Sequence, residues 1–368
     1  MTSALPDLLE RHVASGAVPG VVAALRGTVA AAGVMSVGGP PMRTDAIMRL
    51  RSMTKAVTSV AALRLVEAGH LGLDDPVDRW LPELADRQVL KSPTADLGAT
   101  SPAARPITLR HLLTSTSGYG MPVVESPLRE AMAARGVDVG ADPRTLAADE
   151  WLARLAALPL AFQPGEGWRY HHSFGILGIL VARVAGRPLP DHLAEDLLGP
   201  LGLADTGLWV PAARVDRLAA AYQHTDTGPV EVEPAAGGAY AGDPPFDVSH
   251  AELVSTVADY TRFARMLAGG GALDGRRIVS EAHVRLMTSD QVPAAAKTPD
   301  SFFPGFWDGS GWGFGLGVDT GSGRYGWSGG LGTTFFVDPD GTVGVLLTQV
   351  EVGARAQPLI EEFQALRP

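Results

Sequence analysis

A chain of 368 residues with 46% hydrophobic and 19% charged side chains can bury a large core, which excludes a fibre or a disordered polymer. Its net charge of −10 argues against a nucleic-acid partner, which would need a basic face. Cysteine is absent, so disulfides, a thiolate nucleophile and cysteine-ligated zinc or iron–sulfur clusters are excluded as well. The stretch from Met1 to Asp7 has no basic region leading into an apolar run, and no run of about 18 or more apolar residues occurs, so the expectation is a cytoplasmic protein without a membrane partner.

In chain order, Pro6 to Ala14 carries the spacing of an amphipathic helix. Two Val-rich runs, Gly20 to Leu25 and Val29 to Val37, then predict a hairpin in a covered sheet. The segment from Leu50 to about Gly69 predicts a helix apolar around its whole circumference, as in one buried between layers. From Leu73 the texture changes to turns, short helices and Pro-rich connections. Thr108 to Leu113 is a short helix stopped by Thr114-Ser115-Thr116-Ser117-Gly118, turn formers that either let backbone approach a ligand or simply end the helix. Asp149 to Leu158 is helical, and Ser173 is the expected N-cap of an apolar helix from Phe174 to Ala185. Tyr222 to Asp247, rich in Gly and Pro, reads as a long irregular loop. A helix follows from Leu253 to Gly269. Trp312 to Val318, Gly326 to Val337 and Thr342 to Thr348 are strand-like, with Asp338-Pro339-Asp340-Gly341 as a hairpin turn, and Pro358 to Leu366 closes as a helix. Strands at both ends with helices between imply a sheet built from both termini and an inserted helical lobe, with a cleft where the two meet.

The candidate chemistry begins with Ser52 and Lys55, three residues apart on one helical turn, so an amine lies within reach of a hydroxyl. Of the 30 basic residues only Lys55, Lys91 and Lys297 are lysines, and only Lys55 has a serine three positions before it. Arginine cannot give up its proton, whereas a desolvated lysine can serve as a base. Tyr170, after a Pro-Gly turn, offers a phenol to relay that proton. Gly326-Trp327-Ser328-Gly329-Gly330-Leu331-Gly332 offers a glycine-rich strand whose N–H groups can face an oxyanion. The same stretch spells G-x-S-x-G, but a nucleophile elbow needs a helix after its turn and Leu331 to Val337 reads as strand, so Ser328 is rejected as nucleophile. His171 and His172 are adjacent and no His-x-x-x-His occurs, so no metal site is expected.

Taken in order, Ser52-Met53-Thr54-Lys55 as S-x-x-K, Tyr170-His171-His172 where Tyr-x-Asn would stand and Trp327-Ser328-Gly329 where Lys-Thr-Gly would stand, the chain resembles the class C β-lactamase and penicillin-binding-protein-like serine hydrolases, and is most similar to family VIII carboxylesterases. Connecting segments agree, among them Ile107 to Thr114 with Ser117-Gly118, and Leu253-Val254-Ser255-Thr256. The resemblance implies an α/β (α+β) fold of β-lactamase type: residues 1–75 and 253–368 as a lobe with an antiparallel sheet flanked by helices, residues 76–252 as an inserted helical lobe with long loops, and one catalytic site between them. It implies that Ser52 is acylated, that Lys55 and Tyr170 handle its proton, and that the N–H groups of Ser52 and Gly330 hold the oxyanion. Three departures bear on substrate: His172 replaces the asparagine, Trp327 replaces the lysine, and Ser249-His250-Ala251-Glu252 replaces a glycine-rich segment. A tryptophan in the third motif is like the esterases of the family.

The expectation is therefore a serine hydrolase of small esters that needs no cofactor. Substrate-binding candidates are Trp327, Ser328, His172, Tyr119, and His250 with Glu252, the last two either lining the pocket or on an exposed loop. An acyltransferase on the same site, β-lactamase or D-amino peptidase activity, and a non-catalytic binding member of the fold remain as alternatives, and the sequence leaves the oligomeric state open.

Overall fold

Gly20–Leu25 (β1) is buried along its entire length, and its period of two sends Val21, Ala23 and Leu25 to one side and Val22 and Ala24 to the other. A strand apolar on both faces must be covered on both. The computed structural model, which describes residues 4–139, 146–226, 228–243 and 251–366, covers it in that way. Thr28–Gly33 (β2) pairs with β1 through a tight turn in which Arg26 and Gly27 both have positive φ, the geometry of a type I′ hairpin. The C-terminal strands Ser310–Trp312 (β3), Gly317–Asp319 (β4), Tyr325–Gly329 (β5), Thr333–Val337 (β6) and Val343–Thr348 (β7) complete a seven-stranded antiparallel sheet in the order β3-β4-β5-β6-β7-β1-β2. Both ends of the chain thus meet at the β7–β1 pairing.

Ala4–Ala14 (α1) and Gln357–Ala365 (α5) lie over one face, where Leu5, Leu9, Leu359 and Phe363 pack on Val21, Phe336 and Leu346. The other face carries Thr54–Glu67 (α2) and Val257–Ala268 (α4), the latter capped by Thr256, whose hydroxyl accepts from Asp259 N–H. Almost every residue of α2 is buried, because the helix is enclosed between the sheet and His172–Ala185 (α3). That enclosure is what its all-round apolar composition requires.

Several expectations are corrected. Residues 221–233 are a β-hairpin, Ala221–Thr225 with Gly228–Glu233, and not an irregular loop; its Val230 and Val232 are exposed, so the alternation lacks a buried face to reveal it, and residues 244–247 of that stretch lie outside the described residues. The stretch from Gly326 to Val337 is two strands folded at Gly330–Gly332, and Trp312 to Val318 is likewise interrupted. Gly315, φ +79°, forms that second interruption: a Cβ there would lie 2.5 Å from Ser59 Oγ and 2.9 Å from Lys55 O, so only glycine lets the β3–β4 turn touch α2. Ser173 is not an N-cap. The helix begins two residues earlier than expected, at His172 after His171 at φ +90°, and Ser173 Oγ instead meets Ser117 Oγ at 2.8 Å. A further small ladder pairs Gln88–Leu90 with Thr100–Pro102.

Candidate active site

The chain reaches α2 through a constrained turn. Leu50 N–H donates to Leu253 O at 2.8 Å, Leu50 O accepts from Thr333 Oγ1 at 2.8 Å, and Tyr260 OH donates to Met53 O at 2.8 Å. Arg51 between them sits at φ +51°, a left-handed conformation that a non-glycine residue adopts only when its surroundings impose it. A 3-10 turn, Arg51–Met53, then leads into the helix and presents Ser52 at its start.

Lys55 is fully buried and its Nζ donates to Ser52 Oγ at 3.1 Å. The ammonium faces the Tyr170 ring at 4.6 Å from the centroid and the Phe174 ring at 6.0 Å. Desolvation lowers its pKa to about 7, opposed in part by the negative charge of Glu252. The Tyr170 hydroxyl hydrogen-bonds Ser52 and accepts from Trp327 Nε1 at 2.6 Å. Burial raises the phenol's pKa well above its ordinary value despite those two hydrogen bonds. Near neutrality, then, the amine can shed its proton and the phenol keeps its own. Because the tyrosine oxygen already accepts from the indole, its one hydrogen is available towards Ser52.

The third segment approaches from the sheet. At Gly329 a Cβ would lie 2.3 Å from Leu50 O and 3.0 Å from Arg51 Cβ, so the bare backbone of β5 presses against the serine turn. Gly330, the next residue, is exposed and lines the same cavity as Ser52.

The family-scale comparison agrees with this geometry: a model described as Beta-lactamase matches residues 5–364. The chain belongs to the Beta-lactamase family. A Mycobacterium tuberculosis relative, protein Rv1367c, is 38% identical over 323 residues, which is 82% of this chain and 76% of its own. Esterase EstB of Burkholderia gladioli is 39% identical over 194 residues, 53% of this chain and 46% of the esterase. Among solved structures, EstCE1, described as a hydrolase with promiscuous acyltransferase activity, superposes with a TM-score of 0.78 at 27% identity over 97% of this chain and 96% of its own.

Within this Beta-lactamase family chain the other candidates fall in different places. Trp327 packs its edge on Trp312, centroids 4.6 Å apart, on the α2 side of the sheet. Ser328, next along the strand, points to the α5 side, where its Oγ donates to Thr334 Oγ1 at 2.9 Å, an oxygen that also accepts from Gln364 Nε2. The turn after it leads into strand β6, not into a helix. His172 is fully buried with Nε2 2.7 Å from Val137 O and its ring stacked 6.2 Å from Trp151. It is His171, not His172, that lines the cavity. Tyr119 is buried with its hydroxyl 3.5 Å from Arg87 Nη1, and its neighbour Met121 reaches the cavity. Glu252 is buried, accepts from Ala251 N–H at 2.7 Å and acts electrostatically on Lys55. His250 lies outside the described residues. Among the described residues no cluster of three or more His, Asp or Glu could hold a metal ion, and no helix is long and apolar enough to cross a membrane.

The concave region that contains Ser52 has a volume of ≈ 1100 Å³ and continues past the β5 edge and Ser328 to Gln357, Ile360 and Gln364 of α5, so the catalytic cleft is one part of it. Sequence reasoning missed two of its walls: the Phe302–Phe306 segment, and the hairpin residues Gln223, Val232 and Glu233. The run Ser301-Phe302-Phe303-Pro304-Gly305-Phe306-Trp307 was the available signal, since so many aromatics in an aperiodic stretch need a partner.

Proposed function

We propose that the protein is a serine hydrolase of the carboxylesterase type that cleaves small-molecule esters through an acyl-enzyme on Ser52. The observation that carries this reading is the placement of Ser52 Oγ between Lys55 Nζ at 3.1 Å and the Tyr170 hydroxyl. Neutral Lys55 takes the Ser52 proton as Oγ attacks the ester carbonyl, the reverse of the donor role an ammonium would play. The backbone N–H groups of Ser52 and Gly330 receive the developing oxyanion. Tyr170 gives its proton to the leaving alkoxide and recovers one from Lys55, and water then releases the acid by the same steps in reverse. Trp327 stands in place of a lysine, so the third motif itself offers no cation to a substrate carboxylate, which favours neutral esters over β-lactams and D-amino peptides.

Acyl transfer to an alcohol on the same serine is the second reading, favoured by the likeness to EstCE1. One experiment addresses both. Wild type given a nitrophenyl ester should release acid, with turnover lost in Ser52→Ala; added alcohol that diverts product to a new ester assigns transferase activity, whereas acid at an unchanged rate assigns hydrolysis alone. Turnover that survives Ser52→Ala would refute the acyl-enzyme.

A further inference from the structure

The segment from Ser301 to Trp307 has no regular structure, yet it is firmly seated. Phe306 and Trp307 pack on the fully buried Trp168 at centroid distances of 5.2 and 5.1 Å. Its N-terminal end is tied by Arg169 to Asp300 at 3.3 Å, and Lys297 Nζ lies 5.2 Å over the Trp307 ring. From this seat Phe302 meets the Tyr170 ring at 4.8 Å and Phe306 reaches Trp327 at 6.3 Å. Phe303 lines the same cavity and is 53% exposed, an aromatic surface left open to solvent at the mouth.

Resting on the esterase reading above, we infer that this segment is the binding surface for the alcohol half of the ester, and that the alcohol is an uncharged aryl or bulky alicyclic one. A proton donor must lie within hydrogen-bond distance of the atom it protonates. The leaving oxygen therefore sits at the Tyr170 hydroxyl, and the substituent on that oxygen lies against whatever surrounds the phenol on its open side. Phe302 and Trp327 touch the phenol ring directly, at 4.8 and 5.6 Å between centroids, and Phe303 and Phe306 extend that aromatic surface by packing on Phe302 at 5.0 and 5.3 Å. Flat rings at these separations accept another ring edge-on or offset, and a planar or compact apolar group removes more of the open Phe303 surface from water than a short alkyl chain does. Phe302, Phe303 and Phe306 bring no ionisable group, so a charged alcohol would lose hydration against these rings. In deacylation an attacking alcohol enters where the leaving one departed, so the same surface selects acceptors: the Ser52 ester bond to the acyl group breaks as the new ester forms, and the acceptor's proton passes through Tyr170 and Lys55 back to Ser52 Oγ.

The test uses two ester series on the full chain: acetates of varied alcohols with matched leaving-group acidity (n-alkyl, cyclohexylmethyl, arylalkyl), and ethyl esters of varied acids. Wild type should prefer arylalkyl and cyclohexylmethyl over n-alkyl acetates by roughly tenfold or more in kcat/KM. In Phe303→Ala, and in Phe302→Leu, that ratio should fall towards one while the ranking of the acids is retained; ratios within each variant cancel any general loss of activity. A wild type indifferent to the alcohol, or variants that reorder the acids instead, would overturn the inference while leaving the esterase standing. A wild type that cleaves neither series and takes no fluorophosphonate on Ser52 would remove both.

Discussion

The serine turn and the aromatic segment face each other across one cavity, and they are held by different forces. The turn is fixed by directional hydrogen bonds: Thr333 Oγ1 of β6 and Tyr260 OH of α4 donate to its carbonyls, and its Leu50 N–H donates to Leu253 O. The segment, anchored at its N-terminal end by the Arg169–Asp300 pair, is otherwise held by ring contacts to Trp168 and Tyr170, which tolerate sliding and tilting. Hydrogen bonds of that kind hold reacting atoms to fractions of an ångström, as proton transfer requires. Ring packing supplies an adaptable apolar surface, as recognition of a variable group requires. If the esterase and alcohol-site proposals hold, rate and selectivity divide between these two parts of the molecule, and substitutions should divide along that line.

The largest effect falls on the base. Lys55→Met should lower kcat/KM by about 10² to 10⁴-fold, the range typical of a lost general base, without reordering the alcohols. The same variant reports on proton linkage. Lys55 has its folded pKa lowered to about 7 from 10.5, so between those values the unfolded chain binds the additional proton and folding stability rises with pH. Below about 7 the amine is protonated in both states and the cost of burying its charge is fully present. Wild type should thus gain stability from pH 7 towards 10 relative to Lys55→Met, as measured by denaturant midpoints. A constant difference across that range would mean that Lys55 is not held neutral.

Trp327→Phe tests the junction between the two regions, because the indole N–H serves Tyr170 while its ring packs on Trp312. The variant should lose roughly tenfold in kcat, about the value of one hydrogen bond to a reacting group, with little change in the alcohol ranking. The ranking should hold because phenylalanine keeps a ring in the aromatic surface, and a reordered ranking with kcat intact would mean that the indole N–H does not serve Tyr170. The smallest effect on catalysis is expected at Tyr260→Phe, which removes only the hydrogen bond to Met53 O from a fully buried ring. It should cost about 1 to 3 kcal/mol of stability by leaving that carbonyl short of a donor, visible as a lower denaturation midpoint.

The two regions also differ in how far they were legible beforehand. Ser52 and Lys55 lie on one helical turn, so their proximity follows from local geometry, and the buried setting of α2 follows from its composition. The outline of the sheet was legible because β1 and β7 are short, wholly apolar runs. Tyr170 and Trp327 were found through the order of motifs, not from any local pattern of their own. The aromatic segment has no period, and its seat, Trp168, is more than 130 positions away in the chain, so only tertiary structure reveals its partners. His171 was passed over for His172 because a positive φ at a non-glycine residue leaves no trace in the sequence, and that conformation starts α3 with His172 facing the interior. The hairpin at residues 221–233 was missed because its exposed Val-Glu-Val alternation lies among glycines and prolines.

The central claim is that Ser52 is the nucleophile and that a lysine near neutrality activates it. Its most direct test is the pH dependence of acylation by a fluorophosphonate probe, with the modified peptide identified by mass. The account predicts a single adduct on Ser52 whose second-order rate constant rises with pH through about 7, following the lowered pKa of Lys55, and a flat, slow profile in Lys55→Met. An adduct on Ser328, or a rate that climbs only near the ordinary lysine range, would contradict it.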